Sequence, residues 1–174
     1  MIFQNYFIKK KIRTVVKNIS ARKSRFCTLS EAKTFIVTFN IKDRNEAIPC
    51  VEQLYNLKKD VTIVVFIPKK MRAAEDIDPS WMQIKEDEFG SNGLPLPSLC
   101  ERFKDIPADI LIDLTRSGDY SMHYLLLTNP ASFKVGNKSS LRNLFDMTIP
   151  MGEDDNMAHF FQHILYYLQT IRSK

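Results

Sequence analysis

Residues 109–136, DILIDLTRSGDYSMHYLLLTNPASFKVG, constrain the fold of this chain more than any other stretch. An apolar run, Asp109 to Leu114, ends in a polar turn. An apolar helical pattern follows from Tyr120 to Thr128 and stops at Asn129-Pro130. A second short strand, Ser132 to Val135, closes the unit. Strand, helix and strand in that order make a crossover, the repeating part of a parallel α/β sheet.

The flanking sequence extends the pattern in both directions. Lys33 to Phe39 and Val61 to Ile67 read as strands, the second without a polar face, as for a strand covered on both sides. Between them Ile48, Val51, Leu54 and Tyr55 mark a helix over 45–59, in which Pro49 is awkward unless it lies in the first turn, where a missing N–H costs nothing. Residues 68–97 are rich in Pro and Gly, with a short strand near Met82 to Ile84. Ser98, with Glu101 three residues on, reads as the capping box of a short helix to Lys104. A sixth strand is expected over 145–149 and a last helix over 155–171, with Met157, Phe160, Phe161, Ile164, Leu165, Leu168 and Ile171 on its apolar face. The expected architecture is a doubly wound, mostly parallel open sheet of Rossmann-like type, with helices on both faces.

Charge divides the 174 residues into two parts. Residues 1–30 hold eight of the 25 basic residues and none of the 20 acidic ones, which leaves 17 basic against 20 acidic in the remainder. This predicts a basic arm over 1–30 and a mildly acidic α/β domain over 31–174. Within the arm, residues 2–25 read as an extra amphipathic helix. Ile8, Ile12, Val15, Val16 and Ile19 share one face, and Lys10, Arg13 and Lys17 share the opposite one. Phe3, Tyr6 and Phe7 lie nearer the basic side. Cys27, Cys50 and Cys100 are odd in number and widely spaced, so no disulfide framework is expected and a reducing compartment is the natural setting. The start MIFQNYFIKKKIR lacks the apolar core of a signal peptide, and no apolar run is long enough to span a bilayer. A cytoplasmic location is expected, with a peripheral seat at the inner membrane if the arm meets lipid.

In such a sheet, ligands bind beyond the carboxyl ends of the strands, near the switch in strand order. The loops there offer Asn40, Lys69, Lys70, Arg72, Thr115, Arg116, Ser117 and Lys138. This collection is suited to an anion, and Asn40, Thr115, Arg116 and Ser117 from it, together with Asp113, are the candidate ligand contacts. Loop ends are also polar simply because they are exposed. Asp113, followed by Thr115, Arg116 and Ser117, is placed to act as a base or to hold a ribose, but a carboxylate there more often accepts hydrogen bonds from its own loop. The first strand–helix turn, FNIKDRNE, contains no glycine, and no Gly-Lys-Ser/Thr loop is present, which argues against a standard dinucleotide or P-loop site. His159 and His163 have metal-ligand spacing, but HFFQH lacks the glutamate of the zinc-protease motif, and both lie opposite the apolar stripe. Neither a resident metal nor a cofactor is expected, and no Ser, Cys or His nucleophile arrangement is evident.

The stretch ILIDLTRSGDYSMHYLLLTNPASFKVG resembles the end of the N-terminal half of heptosyltransferase-type glycosyltransferases, through Asp113, Leu114, Lys134, Val135 and Gly136. Such enzymes bind a nucleotide sugar with a second Rossmann-like domain, for which this chain has no room. The wider layout is similar to an uncharacterised family of small Bacteroidetes proteins: a basic start, then Glu88, Phe89 and Gly90 before a Pro-rich segment, then the Asp109 to Leu114 strand. That resemblance implies no catalytic residues. The leading functional expectation is a non-catalytic interaction module. Its basic helix would touch an anionic partner, RNA (including the ribosome) or a membrane surface, through Lys10, Arg13 and Lys17. The alternatives are a glycosyltransferase-related enzyme or subunit using the loop after Asp113, with a separate protein partner, and a basic helix that is structural only.

Overall fold

A computed structural model describes Lys10, Thr14 and residues 24–71, 77–116, 120–137, 144–152 and 154–171. Six strands form one parallel sheet: β1 (Thr34–Asn40), β2 (Asp60–Ile67), β3 (Met82–Lys85), β4 (Ile110–Asp113), β5 (Phe133–Asn137) and β6 (Met147–Ile149). Their spatial order is β3-β2-β1-β4-β5-β6, and every pairing is parallel. The chain runs outward from β1 to β3, then returns to the other side of β1 and runs outward again. The order therefore reverses between β1 and β4. This is the doubly wound Rossmann-like architecture that the sequence pattern predicts.

Side chains alternate across the sheet, as the two-residue period of a strand requires. Phe35, Val37 and Phe39 of β1 and Ile110 and Ile112 of β4 enter one core, covered by α1 (Arg44–Asn56) and α4 (Met157–Thr170). Ile36, Val64 and Leu111 enter the other, covered by α2 (Pro97–Lys104) and α3 (Tyr120–Thr128). Within each layer the two helices pack on each other. The sheet is thus dry on both faces, which is why β2 reads as an almost uninterrupted apolar run.

Several local expectations are corrected. Pro49 lies inside α1, past its first turn. A proline there removes one main-chain bond, and the helix is held by the burial of Ala47, Cys50, Val51 and Leu54. Helix α2 starts at Pro97 with Leu96 as its N-cap, and no Ser98 capping box forms. Proline's fixed φ suits the first helical position, so the helix begins before Ser98 can cap it. Helix α4 is capped by Asn156, whose side chain accepts from Ala158 N and His159 N. Ile171 falls past its end and is 40% exposed, unlike the rest of the expected stripe. Of residues 2–25, Lys10 and Thr14 are helical, whereas Ser24 and Arg25 are not. Arg25 N donates to Ser132 O, and Phe26 packs edge-on against Phe133.

The β4–α3–β5 unit contains two devices of its own. Lys134 is 1% exposed and its Nζ donates to the Leu126 and Leu127 carbonyls near the C-terminus of α3, where a cation is favoured. Gly136 is covered by the Phe145 ring, and a Cβ there would stand 2.6 Å from Cε1 and 2.7 Å from Cε2. Only glycine permits that approach without moving the ring.

Candidate functional site

The carboxyl ends of β1 and β4 meet at the switch in strand order, and the sequence supplies each with a polar residue. Asn40 ends β1, and its Oδ1 accepts from Lys42 N at 3.1 Å, which starts the 3-10 turn 41–43. That turn delivers Asp43 to the head of α1, with Glu46 in the first helical turn. Asp113 ends β4 and is 2% exposed. Its Oδ1 accepts from Thr38 Oγ1 at 2.8 Å and Thr115 N at 3.1 Å, and its Oδ2 from Thr115 Oγ1 at 2.8 Å. Burial pushes the Asp113 carboxyl up to about 6, and the hydrogen bonds from Thr38 and Thr115 only partly oppose it. Asp113 is therefore a strut beneath the crevice, linking β1 to the loop after β4.

That loop places Arg116 across the switch point. Its Nη2 donates to Glu46 Oε2 at 2.5 Å, its Nη1 bonds the Asp155 carbonyl, and its Nε lies 3.7 Å from Asp43 Oδ1. The guanidinium thus ties α1 to the segment before α4. Asn137, at the end of β5, fixes the neighbouring backbone: its Nδ2 donates to Arg116 O and Met151 O, and its Oδ1 accepts from Met151 N. Asp43 is 9% exposed, and its Oδ2 is buried without a hydrogen-bond partner. Desolvation raises the Asp43 carboxyl above its ordinary value; Lys42 and Arg116 oppose the rise, and Glu46 adds to it.

Two cavities flank this arrangement. One of about 670 Å³ is lined by Lys42, Asp43, Glu46, Arg116 and 154–156. The other, about 110 Å³, is lined by Asn40, Lys42, Asp43, Phe66, Thr115, Arg116 and Met122. Asp43 and Arg116 belong to both. A phosphate approaching the head of α1 would meet Asp43 and Glu46, which already occupy the positive end of its dipole.

The structure gathers Asn40, Asp113, Thr115 and Arg116 within this one region. Lys69 and Lys70 form a 3-10 turn beyond β2. Ser117, Arg72, Lys138, Arg13 and Lys17 lie outside the described residues, and Lys10 is exposed. His159 and His163 are exposed on α4. Among the described residues no group of three His, Cys, Asp or Glu is placed to hold a metal ion, and no helix is long and apolar enough to cross a membrane. Sequence reasoning missed Asp43, Glu46, Asn137 and Asp155. The available signal was the pair of carboxylates in the glycine-free first turn, at the place where a dinucleotide site needs bare backbone.

No curated protein matches the chain in sequence. Two solved structures match the chain. The glycosyl transferase family 9 protein from Veillonella parvula DSM 2008 shares 18% identity over 82% of this chain and 42% of that one, with a TM-score of 0.56. An exopolyphosphatase-related protein from Bacteroides fragilis shares 11% identity over 90% of this chain and 44% of that one, with a TM-score of 0.49. The chain spans less than half the length of either. At these identities the first likeness speaks for the fold, and it agrees with the observed sheet order. A family model, by contrast, matches residues 4–171, nearly the whole chain, so the protein belongs to DUF6913, a family of unknown function.

Proposed function

We propose that this protein is a non-catalytic Rossmann-like module that engages an anionic partner through its basic N-terminal segment. The observation that carries this reading is the separation of charge: residues 1–30 hold eight basic and no acidic residues, whereas the switch-point crevice is lined with Asp43, Glu46, Asp154 and Asp155. An anion is repelled where such a fold usually binds one and attracted to the arm instead. Of the two cations that line the crevice among the described residues, Lys42 and Arg116, Arg116 is bonded to Glu46 and to the Asp155 carbonyl. The test is retention of the full chain on RNA and on anionic vesicles at two salt concentrations. Three phosphate contacts from Lys10, Arg13 and Lys17 give a log–log salt slope of roughly −2 to −3 on RNA. Exchanging the three for Gln weakens either partner, and exchanging Phe3, Tyr6 and Phe7 for Ser selectively abolishes vesicle binding. Failure to retain either at low salt refutes the reading.

A second reading is favoured by the fold shared with the glycosyl transferase family 9 protein over 82% of this chain. In it, the module is a subunit related to such enzymes, and a separate chain supplies the remainder of the site. Saturable calorimetric binding of a nucleotide sugar, NAD, FAD or ATP would favour this second reading over the first.

A further inference from the structure

The outer face of α4 carries no formal charge. From Asn156 to Ile171 the sequence holds no Lys, Arg, Asp or Glu, although 26% of the chain is charged. By contrast α2, which covers the opposite core, exposes Glu101, Arg102 and Lys104 within eight residues. The inner side of α4 is taken up by the core, through Phe160, Phe161, Ile164, Leu165 and Leu168. Its outer side shows His159, Gln162, His163, Tyr166 and Tyr167 to solvent. Tyr166 is 60% and Tyr167 43% exposed, and their rings meet edge-on with centroids 5.6 Å apart. The face continues onto α1. Gln162 Nε2 donates to Gln53 Oε1 at 2.6 Å across the seam between the two helices. Pro49 and Leu57 stand one turn to either side of Gln53, and both are exposed. Charge returns at the rim, with Glu52 on α1 and Asp155 ahead of α4. An aromatic centre depleted of charge, inside a polar rim, is the composition of a protein–protein contact.

We propose that this face is where two copies of the chain meet, the α1–α4 layer of one against that of the other, about a two-fold axis near Gln162. Charge selects the second copy as the occupant. The chain carries a net charge of +5, so two copies repel each other at long range. An isologous contact also sets every charge it contains against its own duplicate. The face on which copies meet at least cost is therefore one that holds no charge, and a strongly charged partner finds nothing there to pair with. The area is sufficient. Two helices side by side, each about 20 Å long and about 10 Å wide, give a footprint of about 400 Å², and side-chain relief brings it to roughly the 500 Å² a side of a small, reversible interface. The proposal is independent of the basic arm, because it uses α1 and α4 only.

The test is sedimentation equilibrium of the full chain at pH 7.5, over a range of protein concentrations and at low and high salt. The mass rises from one copy to two as the concentration passes about 100 μM, stops at two, and does not fall with added salt. Tyr166→Lys places a cation on each side of the contact and weakens the dimer about tenfold or more. Gln162→Lys, at the axis, does the same, and thermal melting verifies that each variant is folded. Glu101→Lys, on the opposite layer, leaves the dimer unchanged. A mass of one copy up to about 1 mM overturns the proposal. So does a mass that climbs past two, because an isologous contact closes. A folded Tyr166→Lys or Gln162→Lys protein that pairs as tightly as wild type overturns it too. The Gln exchange at Lys10, Arg13 and Lys17 does not weaken the dimer, so this reading and the arm's reading fail separately.

Discussion

Asp109 and Asp113 stand at opposite ends of the same strand, and each accepts three hydrogen bonds from a threonine-centred partner. At the amino end, Asp109 Oδ2 takes Lys33 N, Thr34 N and Thr34 Oγ1. At the carboxyl end, Asp113 takes Thr38 Oγ1, Thr115 N and Thr115 Oγ1. Their acidities move in opposite directions. Main-chain donors from Thr34 and Lys33 hold Asp109 below the ordinary carboxylate range, whereas burial pushes Asp113 up to about 6. The same number of donors suffices where water still reaches the group and falls short where it does not. The amino end of β4 is therefore a pinned rim that gains from its charge. The carboxyl end tolerates a charge in order to hold the loop that carries Arg116.

The largest test of this contrast is to place a third carboxylate between the two. Ile112→Asp, at a position with no exposure and no built donors, is expected to destabilise by about 4 kcal/mol or more in urea titrations. Val64→Asp, in the opposite core, should cost a similar amount. Unchanged stability in both would show that donors are not what licenses a carboxylate here. Truncation comes next. Asp113→Ala leaves Thr38, Thr115 N and Thr115 Oγ1 without their acceptor in a dry site, at about 3 kcal/mol. Asp109→Ala leaves donors that water can reach, at about 1–2 kcal/mol. The reverse order breaks the comparison.

The pH dependence has opposite signs at the two ends. Asp109, with a lowered folded value, contributes stability that is present above the ordinary carboxylate range and is lost as the pH falls below it. Asp113, with a raised value, contributes most below its ordinary 3.8, and that contribution is lost as the pH rises through about 6. Wild type should therefore gain on Asp113→Asn by up to about 3 kcal/mol as the pH is lowered across that window, and a flat difference would contradict the burial argument. The smallest expected effect is that of the amide exchange itself near neutrality. Asp113→Asn keeps an acceptor for Thr38 and Thr115 N and turns the Thr115 hydroxyl from donor to acceptor, so it should stay within about 1 kcal/mol of wild type.

The sheet was legible because its strands are dry. An apolar run such as 61–67 bounded by turn residues has few readings other than a covered strand, and β4 with its following helix fixes parallel order. Asp113 as a strut was legible too, since a carboxylate closing an apolar strand must find donors nearby in sequence, and Thr115 is two residues away. The wall around Arg116 was not. Glu46 lies 70 residues before it and Asp155 lies 39 after it, so nothing local announces the triad. Asn137 was missed for a related reason: it ends a strand whose limit the pattern placed at Val135, two residues early. Ser98 misled because capping rules describe a helix in isolation, whereas the neighbouring Pro97 takes the first helical position, and Pro49 is tolerated inside α1 by the burial around it.

The two threonine–aspartate rungs join β1 to β4 across 75 residues, whereas β1 pairs with β2 across only 26. During synthesis β1 and β2 can close early, and the other side of β1 must wait for β4. Until residue 113 emerges, the TFIVTFN strand presents an apolar, unpaired edge, the kind on which nascent chains cross-associate. The rungs at Thr34 and Thr38 are thus among the contacts that close the second edge of β1, and they can form only once β4 has been made.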